Sequence, residues 1–361
     1  MWKKVSVAAA CALAIGATAS QAVAQRVADV LERPALRLTH PERAALVDVG
    51  LAGPRIVAVG ERGVITLSDD GGATWRQAVV PVSVTLTAIH FPTPRLGWAV
   101  GHGAAVLHSA DGGETWKTQL DGIKAAALAL QAARSAAVSN GAGDKRLKAA
   151  EQLVAEGPDK PLLGVHFLDG RHGVVVGAYG LAFETQDGGA SWLPLMDRIE
   201  NAGALHLYAV DSQGDRLCIA GEQGIVLRSI DRGRSFGRVP SPYDGTYFAV
   251  ACGSDGSIFL GGLNGNAYSS VNGSGTWQKV DSGFQASIVS IRRTSGGRLL
   301  VADQAGRVMR SDDGGRSLSA SVWRMQAPLS AFVMLADQQL VGVGLRGAAQ
   351  RTTDAPAGAR P

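Results

Sequence analysis

The 361-residue chain carries 47 glycines and is 46% hydrophobic but only 18% charged, which excludes a disordered polyelectrolyte and suits a turn-rich β structure. Its formal charge of +4 includes Lys3 and Lys4 near the start, and without that pair it is +2, so no basic domain for nucleic acid remains.

The first segment, MWKKVSVAAACALAIGATASQAVAQ, has a short basic start, an apolar run too short to span a membrane, and small residues ending at Ala24. This layout predicts a secretory signal over residues 1–24 and an exported, periplasmic mature chain over 25–361. Next, DVLERPALRL predicts an edge strand, within about Val27 to Leu38, that pairs with the last sheet and closes the fold.

A repeat then begins. Aligned on the Ser or Thr before an acidic turn, the anchors are Ser68, Ser109, Thr185, Ser229, Ser270, Ser311 and Thr352, spaced 41, 76, 44, 41, 41 and 41 residues apart. The copies read SDDGGATW, SADGGETW, TQDGGASW, SIDRGRSF, SVNGSGTW, SDDGGRSL and TTDAPAGA. A glycine stands eight residues before six of the anchors, and Asp303 takes its place before Ser311. Within one unit, alternation marks four short strands, as in Thr85 to Phe91, Gly97 to Gly101, Ala104 to Ser109 and the segment after Trp116. Seven such units predict an all-β, seven-bladed β-propeller.

The long second interval holds GIKAAALALQAARSAAVSNGAGDKRLKAAEQLVAEG, which predicts two helices joined at Asn-Gly, a helical insertion over 121–157 between blades 2 and 3. It belongs on the face that carries the inter-blade connections, as a cover for the channel, a docking arm or a plain surface hairpin. Cys218 and Cys252 fall in strands of successive units, so an exported chain allows a disulfide, and two buried apolar thiols fit equally well.

Chemistry distributes poorly over this pattern. Asp70, Asp111, Asp187, Asp231, Asn272 and Asp313 recur once per repeat, which marks turn formers accepting backbone N–H bonds rather than catalytic carboxylates. No metal cluster or phosphate loop stands out, and no cofactor or catalytic residue is assigned. The turns between second and third strands differ from blade to blade around constant glycines, so Arg62, His102, Tyr179, Glu222, Asn264 and Arg346 are the candidate partner-binding residues. On the opposite face, Arg55, Arg95, Arg171, Arg216, Arg292, Arg293 and Arg298 form either a basic rim for acidic lipid or protein, or ordinary solvated charges.

The hairpin pattern resembles the Asp-box, or bacterial neuraminidase repeat, of sialidases, some glucanases and sortilin-like receptors. FPTPRLGWAVGHG and FLDGRHGVVVGAYG are similar to the repeat of the photosystem II stability/assembly factor family, and the resemblance covers about residues 30 to 354. It implies an assembly or interaction scaffold, and the expectation is a monomeric, non-enzymatic protein that binds a protein of a membrane or envelope complex, with peripheral membrane contact through the basic rim. The alternative, an Asp-box glycoside hydrolase, lacks support where the sialidase Phe-Arg-Ile-Pro motif belongs, since that region reads LVDVGLAGPRIVAVG, while Arg238-Val239-Pro240 lies after the fourth box.

Overall fold

A computed structural model describes residues 29–140, 144–294, 296–325 and 328–352. Seven antiparallel sheets follow one another along the chain, six of four strands and a last one of three. The first strands of the blades are Leu46–Ala52, Leu86–His90, Leu162–Phe167, Leu207–Gln213, Tyr247–Cys252, Ile288–Arg293 and Ala331–Met334. Together they line a central channel of about 1320 Å³.

The second strand of each blade is apolar on both faces because neighbouring blades cover both. Gly97–Gly101 and Gly173–Gly177 are buried at every residue. The core is therefore seven seams between blades. Val57, Val59 and Leu67 of blade 1 meet Leu86, Ala99 and Leu107 of blade 2, and Leu46, Val49 and Ile56 of blade 1 meet Ala331, Val341 and Val343 of blade 7. The aromatic residue ending each of the first five boxes packs at a seam, and Leu318 takes that place in the sixth: Trp116 is 4% exposed in the first seam, and Phe236 is fully enclosed in the third.

The box hairpins of blades 1, 2, 3, 4 and 6 share one hydrogen-bond set, while in blade 5 Asn272 accepts only the Ser274 N–H through its side chain and Ser270 Oγ accepts the Gly273 N–H. In blade 3, Thr185 Oγ1 donates to Asp187 Oδ1 at 2.8 Å and accepts from the Gly189 N–H at 2.8 Å, while the other Asp187 oxygen accepts from Ser191 Oγ at 2.6 Å. Blade 4 repeats this with Ser229, Asp231, Gly233 and Ser235. In blades 2, 3 and 4 the hairpin also leans on the turn between first and second strands, where the N–H groups of Gly112, Gly188 and Arg232 donate to Arg95 O, Arg171 O and Asp215 O. The glycine before each opposite turn is required by close approach: a Cβ on Gly60 would lie 2.1 Å from the Ala45 carbonyl oxygen. Asp303, the exception, is fully buried and holds Arg307 through both carboxylate oxygens.

The expected closing strand is not formed. Blade 7 contains Ala331–Met334, Leu340–Gly344 and Gly347–Thr352, and residues 29–38 lie over blade 1 instead; Val27 itself, like the predicted 1–24 leader, lies outside the described residues. The reason is local. Pro34 supplies no N–H, and the Gln77 side chain captures Leu36 O and the Leu38 N–H at 2.9 Å each, while Arg37 donates to Gln77 O.

The insertion forms two helices, α1 (Gly122–Asn140) and α2 (Asp144–Glu156). Ala129, Ala133 and Ala150 let them approach closely, and the pair rests against Met196 and Asp197 at the outer edge of blade 3, with Arg146 bridging to Asp197 at 3.1 Å. No described residue of either helix lines the channel. Cys218 of blade 4 and Cys252 of blade 5 form a disulfide across their seam.

Candidate functional site

In blades 1 to 5 the turns between second and third strands are single 3₁₀ turns whose middle residue is left-handed: Arg62 at φ 53°, Gly103 at 66°, Tyr179 at 55°, Gln223 at 50° and Asn264 at 53°. For an aromatic residue this backbone costs about 1–2 kcal/mol, so Tyr179 is displayed there at the expense of stability. Its ring is 59% exposed.

Tyr179 begins a line of rings that descends into the channel. Its centroid lies 4.8 Å from His206, His206 lies 6.3 Å from Tyr208, and Tyr208 meets Phe248 edge-on at 5.4 Å. Tyr208 and Phe248 stand at the starts of the first strands of blades 4 and 5 and line the channel together with Leu263. Two groups fix the outer end. Lys160, held by Glu156 and Asp159, sits 5.1 Å over the Tyr179 ring, and Glu222 accepts the His206 N–H at 3.0 Å. Burial and the nearby Glu222 carboxylate raise the Tyr208 phenol above its ordinary range, so it stays a neutral hydrogen-bonding group.

Of the residues selected from sequence, Tyr179 and Glu222 belong to this cluster. Asn264 follows Leu263 at the blade 5 tip and donates its N–H to Ser287 Oγ at 3.4 Å. Arg62, His102 and Arg346 are exposed tips of blades 1, 2 and 7, elsewhere on the ring. Sequence reasoning missed His206, Tyr208 and Phe248. Their signal, the aromatic openings HLYAV and TYFAV of two first strands, reads as ordinary strand until the ring places them at one mouth.

The opposite face is mostly self-neutralised. Arg55 bridges to Asp69 at 2.6 Å and to Glu114 at 2.9 Å, joining the box hairpins of blades 1 and 2. Arg298 and Arg310 share Asp312, Arg292 turns into the channel to Asp48, and Arg293 donates to Cys252 O. Arg95 reaches Ala110 O at 3.4 Å. Of the proposed basic rim, Arg171 remains exposed and Arg216 half-buried.

Seven blades around an open channel with Tyr208 and Phe248 in its wall define a β-propeller. The chain belongs to the family described as photosynthesis system II assembly factor YCF48, which matches residues 67–139 and 148–318. It is 25% identical over 171 residues to the photosystem II assembly lipoprotein Ycf48 of Synechococcus sp. (strain CC9902), a match spanning 47% of this chain and 50% of that protein. Among solved structures, YCF48 bound to D1 peptide superposes with a TM-score of 0.60 at 17% identity, over 89% of this chain and 100% of that one. YCF48 from Cyanidioschyzon merolae gives 0.58 at 17% identity, over 86% and 95%. An ancestral GH74 enzyme gives 0.59 at 12% identity, over 84% of this chain and 44% of that one. At these identities the superpositions speak for the fold.

Proposed function

We propose that this chain is an exported, monomeric, non-enzymatic scaffold that binds an extended segment of a membrane- or envelope-complex protein at the channel mouth and assists that complex's assembly. The observation that carries this reading is the line from exposed Tyr179 through half-buried His206, Tyr208 and Phe248, on the face whose turns vary. Rigid aromatic rings offer large contact area at small entropic cost, as recognition surfaces require. The YCF48 relative bound to D1 peptide and the lipoprotein relative support a peptide partner and export. Arg62, His102, Asn264 and Arg346 extend the surface around the ring and select among partners.

The channel carboxylates argue against hydrolysis. Asp48 is spent on Arg292 and two backbone N–H groups, and Asp211 accepts the Cys252 N–H and lies beside His166, so both serve the contacts between blades.

Affinity capture from detergent-solubilised membranes tests the reading. Wild-type protein captures a partner that the Tyr179→Ala, Tyr208→Ala double variant loses by at least about tenfold, a loss of roughly 1.4 kcal/mol. Equal capture by both, or turnover of a fluorogenic sialoside or a β-glucan, overturns it.

A further inference from the structure

The channel wall contains a belt of side chains that ties each blade to the next. Asp48 of blade 1 accepts the Ile89 N–H of blade 2 at 3.0 Å. His90 of blade 2 accepts the Phe167 N–H of blade 3 through Nδ1 at 3.1 Å. His166 of blade 3 meets Ser212 Oγ of blade 4 through Nε2 at 2.7 Å, and Asp211 of blade 4 accepts the Cys252 N–H of blade 5 at 2.9 Å. Arg293 of blade 6 donates to Cys252 O at 2.7 Å. Arg292 donates to Phe332 O of blade 7 at 3.2 Å and reaches past it to Asp48 at 2.9 Å, completing the circle.

Two members of this belt, His90 and His166, are titratable bases that take up protons more readily once the wall opens. His90 and His166 stack with centroids 4.2 Å apart, the first near Arg292, with Asp48 bound to the adjoining Ile89 N–H, and the second 3.8 Å from Asp211. We propose that the His90–His166 stack is an acid-sensitive latch that holds blades 2, 3 and 4 together when neutral and releases the seam between blades 2 and 3 when protonated.

The chemistry follows from His90 as an acceptor. Protonated imidazole has two N–H donors and no lone pair, so the Phe167 N–H loses its partner and a second cation appears beside Arg292 and against the His166 ring. Phe167 also stacks on Trp98 of blade 2 at 3.6 Å, so release of its backbone disturbs the apolar seam itself. Burial, His166 and Arg292 hold His90 well below the usual histidine range, and burial lowers His166 against the pull of Asp211. A histidine depressed in the folded state is neutral there while the unfolded chain takes up protons. The latch therefore contributes fully above about pH 6.5 and weakens as pH falls below it.

Amide hydrogen exchange on the full chain tests this, with rates corrected for intrinsic pH dependence. Between about pH 7.5 and 5.5 the Phe167 amide loses about tenfold or more of its protection, while the Ile89 and Cys252 amides, bound to carboxylates, change less. His90→Gln keeps an acceptor that cannot titrate, so its thermal midpoint falls less with acid than that of the wild type. Unchanged Phe167 protection over that range, or parallel midpoint curves for the two proteins, overturns the latch. If His90→Gln fails to fold, the wild-type Phe167 measurement alone decides.

Discussion

Thr185 and Ser229 show what a single side chain does in each repeat. Both are buried, and each hydroxyl satisfies a buried glycine N–H while orienting the aspartate two residues on. Ser229→Ala strands the Gly233 N–H and lowers unfolding stability by about 1–3 kcal/mol in urea titration, whereas Thr185→Ser leaves it nearly unchanged. The aspartates set an acid limit of their own. Burial pushes Asp313 upward, but hydrogen bonds from Ser317, Ser311 and the Arg316 backbone outweigh it and hold the carboxyl at about 2. That contribution is present above about pH 4 and disappears as pH falls toward 2, a limb separate from any histidine effect and visible by circular dichroism. The boxes were legible because spacing and turn chemistry are local. His206 and Tyr208 were not, because nothing in sequence says which side of a first strand faces a channel.

Elements were legible where period and turn signals agreed, and misread where a side chain replaced a strand. The last unit lacks a fourth strand, which residues 27–38 are expected to supply, but Gln77 pairs with Leu36 and Leu38 through its amide, and residues 29–38 end over blade 1 rather than beside Gly347–Thr352. The helical insertion was placed correctly in order, while its seat against Met196 depends on tertiary packing that no periodicity encodes. The disulfide stood open in the sequence as one of two readings. Linking Cys218 to Cys252, both 1% exposed, constrains a 34-residue separation. The Cys218→Ala, Cys252→Ala double variant loses about 2–4 kcal/mol against wild type in thermal or urea unfolding. Equal stability of variant and wild type removes the bridge from any structural role.

At the scale of the whole ring, closure without a shared strand falls to the apolar seam between blades 7 and 1 and to Arg292, which spans from blade 6 to Asp48. Burial raises the Asp48 carboxyl despite the Arg292 cation and the Ile89 and Val49 N–H groups, as for a charge largely removed from water. Arg292→Ala leaves that carboxylate unpaired and costs about 2–4 kcal/mol, less than a fully buried pair because the guanidinium is partly exposed. Arg298→Ala, at an exposed pair on the rim, costs under about 1 kcal/mol in the same measurement.

A closed ring frees its loops to differ, and the proposed recognition surface is the channel mouth at Tyr208 and Phe248 with Tyr179 at its outer end, rather than the box-hairpin face. A photo-crosslinking residue placed at Tyr179, and separately at exposed Arg171 on the opposite face, tests this in intact membranes. A covalent adduct with a membrane protein from position 179 and none from 171 is the predicted result. An adduct formed only from position 171 contradicts it.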